Sequence, residues 1–147
     1  MTKVRRVLCP TDFSPTADHA AELAAEMALK FDAELVLLHV IPDLSYPLRS
    51  FGAVTAYPHL REELHLRAKE ELDKHAATLR AGKPVTTELR DGAAHEAILA
   101  CAKERGADLI VLGTHGHTGF KHMLLGSTAE KVVRTAACPV LTVRSPS

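Results

Sequence analysis

Asp108-Leu109-Ile110-Val111-Leu112-Gly113-Thr114-His115-Gly116-His117-Thr118-Gly119-Phe120-Lys121-His122-Met123-Leu124-Leu125-Gly126-Ser127 joins an apolar run to a cluster of glycines. Asp108 to Gly113 carries four consecutive large aliphatic residues and reads as the most deeply buried strand of the chain, one covered on both faces as in a parallel sheet. Four of the eight glycines follow between residues 113 and 126. Glycine lets backbone amides approach a bound group closely and permits the positive φ angles that aim several of them at one point. Ser127 stands three residues before Glu130, so the spacing predicts a capping box opening a helix over Ser127 to Ala136, with Val132 and Val133 inward. A helix start offers unpaired N–H donors and the positive end of the macrodipole, both favourable to phosphate. The Ser127 hydroxyl either caps its own helix or touches the bound group, and the two roles are compatible.

Outward from this segment, strands alternate with helices. Val4 to Pro10 is a short strand. Ser14-Pro15 is an N-cap serine followed by a proline at the first helical position. The alanine-rich run to Phe31 places Ala20, Ala24, Met27, Ala28 and Phe31 on one face. Glu34 to Val40, with Leu35-Val36-Leu37-Leu38, is a second doubly covered strand. Ile41 to Pro58 is irregular and holds Tyr46, Phe51 and Tyr57, three of the six aromatic residues. Leu60, Leu64, Ala68, Leu72, Ala76 and Leu79 mark a second amphipathic helix that ends near Gly82 and Pro84. Val85 to Leu89 is a strand whose polar alternation suits an edge. Ala94, Ala97, Ile98, Cys101 and Ala102 line a third helix stopping at Gly106, and Pro139 to Arg144 is the last strand. The order β-α-β-α-β-α-β-α-β predicts a parallel sheet with helices on both faces. In such sheets ligands sit beyond the carboxyl ends of strands where the strand order reverses. If the first and fourth strands are neighbours, Pro10-Thr11-Asp12 and Gly113 meet at one crevice.

Composition narrows the classes. The 147 residues suit a single domain able to bury a core without staples. Lys plus Arg balances Asp plus Glu at 18 each, so no net field draws the chain to nucleic acid or to an anionic membrane. Cys9, Cys101 and Cys138 show no C-x-x-C pattern and read as free, buried thiols of a reducing compartment. Met1 to Arg6 is charged and leads directly into a strand, which is not a secretory leader, and no apolar run is long enough to span a bilayer; a cytoplasmic protein is expected. His115, His117 and His122 lie close together, but their spacing and the absence of a completing carboxylate or cysteine argue against zinc. His39, at the end of an apolar strand, reads as a satisfied core histidine.

The glycine spacing is neither a Walker A loop nor G-x-G-x-x-G. Gly113-x2-Gly116-x9-Gly126-Ser127 instead resembles the G-x2-G-x9-G-[ST] motif of the ATP-binding branch of the universal stress protein family. Val7 to Ser14 is similar to the family's opening strand and acidic turn, and Leu37-Leu38-His39-Val40 to the end of its second strand. Ala107 to Gly113 and Cys138 to Arg144 resemble its fourth and fifth strands. The resemblance covers essentially the whole chain, 1–147, as one universal stress protein domain, and only the loop at 41–58 aligns with nothing.

The resemblance implies an open five-stranded parallel sheet of order 3-2-1-4-5, Rossmann-like and of the adenine nucleotide alpha hydrolase type. It implies that Asp12 binds the ribose hydroxyls while Pro10, Thr11 and Val40 flank the adenine. Gly113, Gly116, Gly126 and Ser127 surround the phosphates, with Thr128 as a neighbouring donor, and Leu112, Thr114 and His115 complete the set. The alternative for Asp12 is that it caps the helix beginning near Ser14. The implied ligand is ATP, with AMP or cAMP as variants; an accompanying Mg²⁺ or Mn²⁺ would be held by the phosphates. A homodimer through the last strand, 140–144, is also implied. No G-x-S-x-G elbow or distinctive base stands out, so slow ATP hydrolysis or none is expected. A slow ATPase or nucleotidyl-transfer enzyme, and an interaction module without nucleotide, remain the alternatives. Gly116→Val should abolish ATP binding by titration calorimetry while the circular dichroism of the fold is retained; unchanged affinity would count against the phosphate assignment.

Overall fold

Runs of branched and large aliphatic residues form the strands because each of their two faces meets a helix layer. The computed structural model describes residues 3–43, 59–115 and 125–145. Its elements are β1 Arg6–Pro10, α1 Pro15–Phe31, β2 Glu34–Ile41, α2 Leu60–Thr78, β3 Thr86–Asp91, α3 Ala94–Arg105, β4 Leu109–Gly113, α4 Ser127–Thr135 and β5 Val140–Val143. The five strands form one parallel sheet in the order β3-β2-β1-β4-β5, as expected. The polar strand β3 lies at one edge and β5 at the other.

Side chains alternate across the strands, and the alternation sorts the core into two layers. Val7, Cys9, Leu35, Leu37, Leu109 and Val111 pack with the alanines of α1 and with Leu72 and Ala76 of α2. Leu8, Val36, Leu38, Ile110 and Leu112 pack on the other face with Ile98 and Cys101 of α3 and Ala129 and Val132 of α4. Strand β1 sits between β2 and β4, in register Val7 with Leu35 and Val7 with Leu109. The buried face of α1 is almost wholly alanine: Ala17, Ala20, Ala21, Ala24, Ala25 and Ala28.

Two helices end alike. The αL residue Asp32 closes α1, with the Ala33 amide donating to the Ala28 carbonyl at 2.8 Å, and αL Gly106 closes α3, with the Ala107 amide donating to the Ala102 carbonyl at 2.8 Å. Both are left-handed caps; glycine takes that conformation freely, and aspartate is one of the few other residues that adopts it.

Phe31, which shares a helical face with Ala20, Ala24 and Ala28 by spacing, is 41% exposed as the last residue of α1, and the inward assignment of Val133 is corrected. Val133 is 45% exposed beside a fully buried Val132; neighbours on a helix point about 100° apart, and on the short α4 it is Ala129 and Val132, three residues apart, that face the sheet. Chemical denaturation should therefore separate two core variants cleanly. Leu72→Ala is expected to cost about 2–5 kcal/mol, while Val133→Ala stays within about 0.5 kcal/mol of the parent.

Candidate functional site

Strands β1 and β4 are adjacent and parallel, yet the chain leaves them toward opposite faces of the sheet. From β1 it turns into α1 on one side. From β4 it passes through Thr114 and His115 and returns, after the segment 116–124 that lies outside the described residues, as α4 on the other. That divergence opens a crevice at the carboxyl ends of the two strands, the place where doubly wound sheets bind ligands.

The lip from β1 is held by its own side chains. Thr11 donates its amide to the Leu38 carbonyl at 2.7 Å, and its hydroxyl accepts the Phe13 amide at 3.0 Å. Asp12 Oδ1 accepts the Ser14 amide at 3.0 Å, and Ser14 Oγ accepts the Ala17 amide at 3.2 Å. This settles which residue caps α1: Ser14 is the N-cap, and Asp12 shapes the turn before it. Phe13 takes φ 64°, a left-handed conformation rarely adopted by an aromatic residue. Its ring lies 4.5 Å from that of His39, whose Nδ1 is 2.7 Å from the Thr11 carbonyl oxygen. His39 is thus satisfied, as the sequence suggested, but half-buried rather than in the core.

On the opposite lip, Thr114 is buried; its amide donates to the Val143 carbonyl at 2.8 Å and its carbonyl accepts the Gly126 amide at 2.6 Å. Gly126 is therefore drawn against Thr114, where a Cβ would stand 3.0 Å from the Thr114 oxygen. The contact also moves the start of α4. The N-cap is Gly126, Ser127 is the first helical residue, and among the described residues no side chain caps the turn. The expected capping box is absent: the register is displaced by one residue, and Glu130 pairs with Arg134 at 2.6 Å instead. The exposed Ser127 and half-buried Thr128 thus head a helix whose first turn is not capped by its own side chains.

Gly113 and Gly126 do not adopt positive φ; among the described glycines Gly82, Gly92 and Gly106 do. The glycine at 113 is required by packing. A Cβ there would lie 2.8 Å from Thr16 Cγ2 and 3.4 Å from the Thr16 backbone. Thr16, in the first turn of α1, in turn shares a hydrogen bond with the Ser145 hydroxyl.

Pro10, Thr11 and Asp12 on one side and Gly113, Thr114, His115, Gly126, Ser127 and Thr128 on the other therefore flank the same crevice, with Val40 half-buried on β2 next to β1. The Leu112 side chain is 3% exposed and is taken up by the core. Gly116, with His117 and His122, lies outside the described residues. His115 Nδ1 is 3.0 Å from Thr114 Oγ1, and its buried Nε2 meets no hydrogen-bond partner among the described residues. At the end of β1, burial pushes the Cys9 thiol up to about 12, so it stays protonated. Cys101 is also a buried free thiol, and Cys138 is half-buried. Residues that spacing rules could not single out are Phe13, Thr16 and Ser145, which act through contacts distant in sequence or through backbone conformation; His39 was singled out, but its partner Thr11 was not.

A doubly wound α/β sheet with its switch point between β1 and β4 is an architecture that takes ligands beyond the carboxyl ends of its strands. The chain belongs to the universal stress protein family, which it matches over residues 3–144. It is 36% identical to the universal stress protein MJ0531 of Methanocaldococcus jannaschii over 97% of this chain and 83% of that protein. With MJ0577 of the same organism it shares 32% identity, and the solved structure of MJ0577 superposes with a TM-score of 0.85 over 99% of both chains. A universal stress protein solved in complex with cAMP is 25% identical, with a TM-score of 0.67 over 99% of this chain and 100% of that one. No helix among the described residues is long and apolar enough to cross a membrane.

The fit at position 113 has a direct test. Gly113→Ala should destabilise the fold by about 1–3 kcal/mol through overpacking, and Thr16→Ser in the same chain should recover most of that loss because it removes Cγ2 and keeps the hydroxyl. Denaturant midpoints of the two single variants and the double variant measure the coupling.

Proposed function

We propose that this protein binds ATP in the β1–β4 crevice, where the nucleotide serves as a structural or regulatory ligand of a stress-response homodimer in the cytoplasm. The observation that carries the reading is the convergence of Asp12 with the uncapped start of α4 across one switch-point crevice. Asp12 would accept the vicinal ribose hydroxyls, and Pro10, Thr11 and Val40 would flank the base. Phosphates would lie against the amides of Ser127 and Thr128, where the helix dipole favours negative charge. The orphaned His115 Nε2, aligned beside Thr114, is a further polar atom that a phosphate oxygen could satisfy. Gly116 would complete the cradle. ATP would supply charge and hydrogen-bond acceptors, and any Mg²⁺ or Mn²⁺ would be held mainly by its phosphates.

The cAMP complex of a family member supports an adenine nucleotide in general. The phosphate-facing helix start favours the longer chain of ATP over the cyclic monophosphate. The dimer reading rests on β5, whose described pairing is with β4 alone and whose Val140 and Leu141 are only half-buried. A second copy adding its own β5 would cover that edge.

Calorimetry with ATP, AMP and cAMP in the presence of Mg²⁺ tests the ligand. ATP should bind most tightly, and Asp12→Asn should weaken it by about ten- to a hundredfold, the cost of losing charged hydrogen bonds. No binding of ATP, or tighter binding of cAMP, would overturn the reading.

A further inference from the structure

Asp12 sits in a four-residue turn, Thr11 to Ser14, and the fixity of that turn bears on where its carboxylate points. The β1–β2 ladder ends at the pair Pro10–Leu38. One residue further on, strand β2 continues to hold the turn by different means. Leu38 accepts the Thr11 amide through its carbonyl at 2.7 Å, and the next side chain, His39, meets the Thr11 carbonyl oxygen with Nδ1 at 2.7 Å. A carbonyl oxygen only accepts, so Nδ1 carries the proton and donates it. The imidazole also lies 4.5 Å from the Phe13 ring at an interplanar angle of 38°. Phe13 is held at φ 64°, a conformation that persists only where its surroundings over-determine it. Those surroundings include the His39 ring and the α1-side core layer on its side chain, and Thr11 Oγ1 on its amide at 3.0 Å. One histidine therefore touches the residues on both sides of Asp12.

We propose that His39 is a positioning residue for nucleotide recognition: by clamping the Thr11 carbonyl and backing the Phe13 ring, it sets the Asp12 carboxylate for the ribose and so determines how strongly the site distinguishes a ribose from a 2′-deoxyribose. This rests on the nucleotide reading above and adds a specificity determinant to it. Without the clamp the Thr11 peptide can rotate and Phe13 can leave its left-handed conformation. Asp12 then loses its fixed direction, while the phosphate side, built on β4 and α4, is untouched. The loss therefore falls on ribose recognition and leaves the phosphate contacts in place.

The experiment compares ATP with 2′-deoxyATP, by calorimetry, for the parent, His39→Leu and His39→Asn. Leucine removes the donor; asparagine carries an amide N–H close to the position of Nδ1. His39→Leu is expected to weaken ATP by about tenfold, the worth of one net hydrogen bond, and to bring the ATP to 2′-deoxyATP affinity ratio close to one. His39→Asn should retain most of both. The tautomer is read independently, on the nucleotide-free parent at pH 8, from long-range ¹⁵N–¹H correlations of the imidazole; a proton on Nδ1 is expected, and one on Nε2 overturns the proposal even if neither variant folds. A parent that favours ATP over 2′-deoxyATP together with a folded His39→Leu of unchanged ratio overturns the positioning role and leaves the nucleotide reading standing. A parent that binds no adenine nucleotide overturns both.

Discussion

The seating of β1 between β2 and β4 is the constraint on which the rest of the structure depends. Its central residues, Val7, Leu8 and Cys9, are essentially without solvent exposure, and its backbone pairs on both edges. A strand enclosed in this way cannot be left by the chain except at its ends. The two segments leaving β1 and β4 at the carboxyl end must clear a sheet already covered on both faces, and they do so in opposite directions. The crevice is the geometric remainder of that divergence. No residue had to be spent on hollowing it out.

The two lips are held differently. The β1 lip is organised by side chains: a threonine hydroxyl, an aspartate, a serine cap and a histidine from the neighbouring strand. The β4 lip is organised by backbone contacts, with Thr114 bonded through its amide to Val143 and through its carbonyl to Gly126. Close approach replaces side chains there, which is why glycine stands at 113 and 126 although neither uses a positive φ. The division suits a ligand with a structured end and a charged end. In the nucleotide reading proposed above, directional hydrogen bonds would read the ribose and the amides at a helix start would answer to charge.

Much of this was legible in the sequence. Aliphatic runs at Leu35 to Leu38 and Leu109 to Leu112 reported doubly covered strands, Ser14-Pro15 a helix start, and Gly106 a helix end. The strand order followed from the family resemblance carried by Gly113, Gly116, Gly126 and Ser127. What escaped was set by tertiary contact. The pull of the Thr114 carbonyl on the Gly126 amide begins α4 one residue before a capping box could form. Phe31 shares the alanine face by spacing, yet as the last residue of α1 it lies exposed. Phe13 adopts a backbone conformation that its residue type disfavours, held by the threonine, the histidine and the core layer around it. His39 was read correctly as satisfied, but its partner lies 28 positions away and no local pattern names it.

The same central strand has a consequence for the order of events during synthesis. Arg5 and Arg6 donate their amides to the Asp108 carboxylate, the first across 103 positions, and the Asp108 amide returns a bond to the Arg6 carbonyl. The second edge of β1 therefore stays unpaired until more than two thirds of the chain has left the ribosome. An unpaired apolar edge is one that invites wrong pairing. Closing it is a long-range step, slow relative to helix formation. The architecture that sets its switch point between β1 and β4 thus makes its central strand wait on a neighbour about a hundred positions later in the chain.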